Sequence, residues 1–199
     1  IVVWDTWQEV GYWAERLVGG HVCYCPHTLA AYRVWLRKRH GELDRLNAAW
    51  RSRYASWNDI QPERTLRPVA TVQETAWRTF MDNVQVANIL RARAKTVRAA
   101  DPLKRPVFAH VACPAFGRSQ EWTSARAQDF FGTSCYPAWW GSGREWDDGH
   151  KRPFERHHAL LTEMWEGVAF RCDYIRSATL GQGHAGGAPV WAAEFQSGP

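Results

Sequence analysis

The chain has 199 residues, of which 45% are hydrophobic and 23% are charged. This balance is typical of a globular protein and excludes an intrinsically disordered chain. No run approaches the roughly 20 apolar residues that a membrane-spanning helix needs. The net charge of +5 would permit attraction to anions, but Lys and Arg are scattered among Asp and Glu on helical faces. We therefore expect neither a nucleic acid nor a membrane as a partner.

The cysteine and tryptophan contents also restrict the class of protein. Five cysteines cannot all pair within one chain, and their irregular spacing favours a reducing compartment over a disulfide scaffold. We therefore predict a cytoplasmic location. The 13 tryptophans are compatible with a carbohydrate partner, because aromatic faces pack on sugar rings as readily as in protein cores.

The first half of the chain predicts one strand followed by helices. An apolar opening, IVVW, reads as a short strand that turns polar at Gln8 and Glu9. Apolar residues then recur at helical spacing, which predicts helices over residues 28–40, 43–50 and 71–100. The segment between the second and third of these helices, with two prolines, reads as a loop.

The second half predicts three more strands, near residues 105–111, 129–137 and 190–195, with one long helix or two broken ones over residues 153–178. Strands that alternate with helices of this length indicate parallel βα units in an α/β protein. Four such units suit either an open doubly wound sheet or half of a (β/α)₈ barrel. No boundary divides the sequence, so residues 1–199 are interpreted as one domain.

Polar side chains follow each predicted strand where it ends. In parallel α/β folds the reactive groups gather at these carboxyl ends. The polar residues are, in strand order, Gln8 and Glu9, then His110, then Ser134 and Tyr136, then Glu194 and Gln196.

Two of these residues, Glu9 and Glu194, are carboxylates at equivalent strand ends. Glycoside hydrolysis requires such a pair, since one acid delivers a proton to the leaving oxygen while the other, ionised, attacks or stabilises the anomeric carbon. A glutamate at a strand end can equally be a surface residue or a salt-bridge partner, so the pair alone leaves both interpretations open.

Three segments resemble a known family. WDTWQEVG, which contains Glu9, looks like the fourth-strand acid/base segment of clan A glycosidases, and VWAAEFQSGP, which contains Glu194, resembles their seventh-strand nucleophile segment. The stretch that begins CYCPHT at Cys23 and runs through GELDRLNAAW to WNDIQP is similar to glycoside hydrolase family 42, the β-galactosidases. The resemblance extends from Val3 to Pro199.

This resemblance implies a (β/α)₈ TIM barrel, present as a fragment that covers about strands 4 to 7, with the other strands outside the chain. It implies a retaining hydrolase of terminal β-D-galactosides that works by double displacement, with Glu9 as general acid/base and Glu194 as nucleophile. It requires no organic cofactor. We expect the 199 residues alone to be poorly active, and the full-length protein could form a homo-oligomer, as family members often do.

The resemblance also implies substrate contacts. Gln8 stands where the family usually has the Asn that hydrogen-bonds the sugar 2-hydroxyl. Tyr136 looks like the residue that orients the nucleophile, although it could instead cap the core. Trp139 and Trp140 are candidate platforms for a sugar ring.

A structural zinc is a further implication, because many family members hold one through a Cys-x-Cys-x-x-Cys run and an earlier cysteine. Here Cys23 and Cys25 are present, but Thr28 replaces the third cysteine. A site would need His27 or His21 as well. The alternative is a pair of buried thiols without metal.

Two alternative functions remain open from the sequence. The same mechanism could act on another sugar, such as an arabinoside, fucoside or glucoside. The chain could also be a non-catalytic carbohydrate-binding relative, although the presence of both glutamates argues against this.

Overall fold

The structure, a computed structural model, forms two compact units that are described separately: Ile1–Val10 with Val86–Pro199, and Gly11–Gln85. This division leaves the interpretation of residues 1–199 as one domain a prediction. The described residues are 2–11, 23–64, 69–112, 121–135, 165–180 and 190–195, with backbone alone at 165–167 and 194–195.

The first unit contains a parallel sheet of four strands. They are β1 (Trp4–Asp5), β2 (Val107–Val111), β3 (Phe130–Cys135) and β4 (Trp191–Phe195), and they neighbour one another in sequence order. Every residue of β2 and β3 is buried, as expected for parallel strands covered on both faces. The four predicted strands and their parallel arrangement are confirmed.

The helices predicted over residues 28–40, 43–50 and 71–100 are confirmed, with one local difference. Of the helical segment predicted over residues 153–178, the part from Trp165 onward is helical, and residues 153–164 lie outside the described residues. Residues 72–100 are helical throughout, but the segment Met81–Gln85 is a π-helix. There the Thr79 carbonyl accepts a hydrogen bond from Asn83 Nδ2 at 3.3 Å, which competes with the regular backbone ladder. The helices are α1 (Pro26–His40), α2 (Leu43–Trp50), α3 (Val72–Phe80), α4 (Val86–Ala100), α5 (Glu121–Ala125) and α6 (Trp165–Leu180), with a 3₁₀ turn at Trp57–Asp59.

Within the described part of the chain, every helix is too short or too polar to cross a lipid bilayer.

The second unit is held by an aromatic core between α1 and α3. Tyr32 of α1 meets the Trp77 ring edge-on, with centroids 4.9 Å apart, and lies 5.3 Å from Phe80. All three side chains are at most 1% exposed. They are at positions that helical periodicity assigns to the buried face, so local sequence pattern and packing agree here.

Asp101, which directly follows α4, joins β1 to the segment that leads into β2. Its Oδ2 accepts hydrogen bonds from Trp4 Nε1 at 3.0 Å and from Arg105 Nε at 2.9 Å. Its Oδ1 accepts another from Arg105 Nη2 at 2.9 Å. The Arg105 guanidinium also lies 5.0 Å from the centre of the Trp4 ring. This cluster therefore fixes the start of β1 against the segment that leads into β2.

We expect the stability of this unit to depend on pH through Asp101. Hydrogen bonds from the Arg105 side chain, the largest cause, hold the pKa of Asp101 well below its usual range. A carboxyl whose pKa is depressed by folding stabilises the protein above its unfolded pKa of about 3.9, and this contribution is lost as the pH falls. Asp101→Asn should lower the free energy of unfolding at pH 7 and flatten its decline towards pH 3.

Urea unfolding at several pH values measures this effect. Asp173→Asn is the matched control, because Asp173 pairs with Arg176 at 3.5 Å on the surface, where its side chain is 71% exposed, and exposed pairs contribute little. A decline for Asp101→Asn as steep as that of the wild type would contradict the prediction.

Candidate active site

The site rests on an aromatic layer formed by three strands of the sheet. Phe108 and Phe130 stack with ring centroids 5.1 Å apart, and Trp191 lies 5.5 Å and 5.4 Å from them. Two residues further along β3, Gly132 pairs with His110. A Cβ at Gly132 would lie 2.8 Å from the backbone oxygen of Trp191, so only glycine allows β4 to approach β3 this closely.

A β-bulge in β4 sets the next pairing. Thr133 pairs with Ala192, but Ser134 pairs with Glu194, so Ala193 is the extra residue. With regular pairing, Ser134 would stand opposite Ala193. Bulges occur beside active sites, where they change which residue faces a given neighbour. This one places the backbone of Glu194 directly beside Ser134.

Glu9 reaches the same point from the other edge of the sheet. The segment after β1 follows β2, since Val10 N–H donates to the His110 carbonyl at 2.7 Å and His110 N–H donates to the Trp7 carbonyl at 3.4 Å. Glu9 has a φ of 51°, a left-handed conformation that is uncommon for residues other than glycine. Its Oε1 accepts a hydrogen bond from Ser134 Oγ at 3.3 Å. The segment after β1 and the strand β4 therefore both meet Ser134.

Buried groups behind β3 hold Ser134 in place. Arg171 of α6 is 3% exposed, and its Nη1 donates to the Ser134 carbonyl at 3.2 Å. The neighbouring Cys135 thiol is not a candidate nucleophile, because burial raises the pKa of Cys135 to about 11 and the reactive form of cysteine is the thiolate.

The segment that carries Glu9 is also held from its outer side. The Arg93 guanidinium lies 4.4 Å from the centre of the Trp7 ring, and Arg93 Nη1 donates to the Thr6 carbonyl at 2.9 Å. At the base of this segment, His110 Nδ1 lies 3.0 Å from Asp5 Oδ2. Strain at Glu9 is thus maintained by contacts made two and three residues before it and on the neighbouring strand.

The described residues include some of the predicted site residues but not all of them. Gln8 is exposed and immediately precedes Glu9, and the backbone of Glu194 lies in β4 as expected. Tyr136, Trp139 and Trp140 lie outside the described residues, so their roles stay predictions.

Sequence reasoning missed the contact that joins the site. Ser134 was recognised only as a polar residue at a strand end, and nothing in the sequence indicated its bond to Glu9, 125 residues away. Arg171 was missed as well. A signal was available for Ser134, because it stands two residues after Gly132 and alternate residues of a strand share a face.

The predicted zinc ligands lie in the second unit and are only partly suited to the metal. The Cys23 and Cys25 sulfurs are 3.9 Å apart, close to the separation of about 3.8 Å that two sulfurs have in a tetrahedral zinc site with bonds of about 2.3 Å. Each sulfur lies 3.2 Å from Thr28 Oγ1. Within the described ranges no group of three or more His, Cys, Asp or Glu side chains could hold a metal, so His27 does not complete the site. His21 lies outside the described residues, and zinc stays a prediction.

The alternative of two buried thiols is wrong, because both Cys23 and Cys25 are exposed. Cys25 is the N-cap of α1, where its sulfur accepts from the Thr28 N–H. The residue of this first turn that faces the core is Thr28, which is 2% exposed. Hydrogen bonds from Thr28 also hold the pKa of Cys25 below its usual value.

Comparison with known proteins identifies the family. The family model described as Beta-galactosidase, glycoside hydrolase family 42, matches residues 1–199. The chain belongs to glycoside hydrolase family 42. The resemblance expected from the sequence is therefore confirmed over the whole chain, and family 42 is a family of glycosidases.

Two curated relatives illustrate the extent of similarity. The β-galactosidase Bga of Halorubrum lacusprofundi is 34% identical over an alignment of 112 residues, and the match covers 49% of this chain and 15% of that protein. The β-galactosidase BgaA of a Thermus species is 27% identical over an alignment of 184 residues, and the match covers 89% of this chain and 26% of that protein. This chain thus spans about a quarter or less of the length of these relatives.

Solved structures of β-galactosidases share the fold of this chain. The polyextremophilic β-galactosidase of the Antarctic haloarchaeon Halorubrum lacusprofundi aligns with a TM-score of 0.64 and 25% identity, over 96% of this chain and 27% of that one. The β-galactosidase of the psychrophilic Marinomonas ef1 aligns with a TM-score of 0.65 and 21% identity, over 89% and 26%. Because the Marinomonas protein is only 21% identical to this chain, its similarity concerns the fold alone. The four parallel strands correspond to part of a larger TIM-barrel protein.

Proposed function

We propose that this chain carries the catalytic centre of a retaining glycoside hydrolase that cleaves terminal β-D-galactosides by double displacement. Glu9 is the general acid/base and Glu194 is the nucleophile. The observation that carries the proposal is the double link at Ser134, whose hydroxyl hydrogen-bonds the Glu9 carboxylate at 3.3 Å and whose backbone pairs with that of Glu194.

The double link suits the retaining mechanism because of its distances. A retaining pair has its carboxyl groups about 5 to 5.5 Å apart, and neighbouring strands lie about 4.8 Å apart. The Glu9 carboxylate lies beside Ser134 and the backbone of Glu194 pairs with Ser134 on the adjacent strand, so one strand spacing at this register is compatible with a retaining pair. An inverting pair, about 6.5 to 9.5 Å apart, would need a wider arrangement.

The chemistry then proceeds in two steps. Neutral Glu9 donates its proton to the glycosidic oxygen while a Glu194 oxygen bonds to the anomeric carbon, so that the aglycone leaves and a galactosyl–enzyme ester forms. In the second step the Glu9 carboxylate takes a proton from water, and the resulting attack on the anomeric carbon releases galactose and free Glu194. Two inversions give net retention of configuration.

The remaining assignments of the proposal extend the resemblance seen in the sequence. In this proposal β1 to β4 are strands 4 to 7 of a (β/α)₈ barrel, and the two glutamates face its active site. Gln8 contacts the sugar 2-hydroxyl, Tyr136 orients Glu194, and Trp139 and Trp140 pack on the sugar. The choice of galactose rests on relatives whose names are β-galactosidase.

Covalent trapping tests this proposal. A 2-deoxy-2-fluoro-β-D-galactosyl inactivator forms the ester but slows its hydrolysis, so we expect mass spectrometry of the digested chain to find the added sugar on Glu194. The matching glucosyl reagent is the control for substrate class, and labelling by that reagent alone would replace galactose by another sugar. A sample with folded near-UV dichroism that neither reagent labels would contradict the proposal.

A further inference from the structure

We propose that Ser134 is a positioning residue for acid catalysis, because its hydroxyl determines which oxygen of Glu9 carries the transferable proton. This inference rests on the proposed function, since it concerns the same acid. It adds a residue that touches neither the sugar nor the bond being broken and that acts through Glu9.

Ser134 is held rigidly enough for this role. Its side chain is fully buried, and its backbone lies between β2 and β4 within β3. Its carbonyl accepts two hydrogen bonds, from Arg171 Nη1 at 3.2 Å and from Thr133 Oγ1 at 3.0 Å. The hydroxyl oxygen has a single torsion left to choose, and the structure places it 3.3 Å from Glu9 Oε1. The position of the donor is therefore set by the strand and by α6, independently of the substrate.

The direction of this hydrogen bond decides the protonation site. A neutral carboxylic acid has one carbonyl oxygen, which accepts, and one hydroxyl oxygen, which donates. When the Ser134 hydroxyl donates to Oε1 in the neutral acid as it does in the structure, the acidic proton resides on Oε2. Oε2 then gives this proton to the glycosidic oxygen as the bond to the anomeric carbon breaks, and the second step returns a proton from water to Oε2.

The same bond favours the transition state over the ground state. As the proton leaves, negative charge develops on Glu9, and the Ser134 bond changes from one between neutral groups to a charge-assisted one, which is roughly twice as strong. Only interactions that strengthen in this way accelerate the chemical step. The separation of 3.3 Å is long for a hydroxyl donor, and catalytic hydrogen bonds commonly tighten when substrate binds.

The test measures kcat/KM of the full chain for hydrolysis of two substrates that differ in their leaving group. Hydrolysis of 4-methylphenyl β-D-galactoside needs a protonated leaving oxygen, whereas 2,4-dinitrophenyl β-D-galactoside forms its galactosyl–enzyme without that help. We expect Ser134→Ala to lower kcat/KM about 10- to 100-fold on the first substrate, the range for loss of a hydrogen bond to a charged group, and less than about threefold on the second. Ser134→Thr should retain near wild-type kcat/KM on the first substrate, because it keeps the hydroxyl.

Ser124→Ala is the matched control, since Ser124 is another fully buried serine of the same unit and lies on α5. Ser124→Ala should change kcat/KM by the same factor on both substrates. A direct readout that needs no turnover is the ¹³C NMR signal of the Glu9 carboxyl, assigned with Glu9→Gln, which should move in Ser134→Ala and not in Ser124→Ala.

The outcomes separate this inference from the proposed function. Suppose that the wild type hydrolyses both substrates. If Ser134→Ala then lowers kcat/KM by the same factor on both, or if it leaves the ¹³C signal of the Glu9 carboxyl unmoved, the positioning role is overturned while the proposed function stands. If the folded wild type hydrolyses neither substrate and neither 2-deoxy-2-fluoro inactivator labels it, the proposed function is overturned and the catalytic role of Ser134 is overturned with it.

Discussion

Glu194→Gln is expected to abolish hydrolysis of β-D-galactosides. The amide has the size of the carboxylate but neither its charge nor its nucleophilicity, so the covalent step of the retaining mechanism cannot occur. We expect kcat/KM to fall by at least about 10²–10⁴-fold, the factor that loss of general acid catalysis causes. The decrease should be similar on substrates with good and poor leaving groups, because every substrate must form the ester.

Initial rates with 2,4-dinitrophenyl β-D-galactoside provide the measurement. Glu42→Gln is a suitable control, because Glu42 is an exposed glutamate just before α2 and the chemical change is the same. Activity of Glu194→Gln within tenfold of the wild type would show that another group attacks the sugar.

Glu9→Ala is expected to lower kcat/KM by about 10²–10⁴-fold on substrates with poor leaving groups, since the proton donor to the glycosidic oxygen is gone. Removing the side chain also opens space for a small anion beside the galactosyl–enzyme. Added azide should therefore restore turnover of activated substrates and give β-galactosyl azide, because attack on the ester of Glu194 inverts the configuration a second time.

The configuration of the azide product checks the two roles against each other. Glu194→Ala with azide should give α-galactosyl azide, because azide then attacks the substrate directly in a single inversion. If the two variants gave the opposite anomers, the acid/base and the nucleophile would have to be exchanged. A non-catalytic binding relative would instead show no turnover in the wild type and would retain sugar affinity in both variants.

Most of the fold could be predicted from the sequence, since local pattern encodes it. Apolar runs and helical periodicity located all four strands and the helices α1 to α4, because burial on both faces of a strand and on one face of a helix imposes those patterns directly. The π-helix at Met81–Gln85 was not predicted. Its apolar spacing still resembles that of an ordinary helix, and one widened turn changes no residue type.

The two exposed cysteines show where such reasoning fails. Cys23 and Cys25 were considered as zinc ligands or as buried thiols, because cysteine is among the most buried residue types. The packing of α1 instead buries Thr28 and leaves the cysteines at the N-terminal end of the helix. Which side of a helical turn faces the core depends on the neighbouring elements, and three residues of sequence do not carry that information.

The sequence by itself determined that this chain is an α/β glycosidase segment of family 42 with one glutamate near its first strand and another in its last; it placed Glu9 at the end of the first strand, whereas β1 ends at Asp5. Only the tertiary structure decided how those glutamates meet. The bulge at Ala193 brings Glu194 beside Ser134, the left-handed backbone at Glu9 lets its carboxylate reach the Ser134 hydroxyl, and Arg171 holds that serine from α6. These features depend on hydrogen bonds between strands that are far apart in the chain, and a strand's local sequence sets its own alternation but not its register against a neighbour.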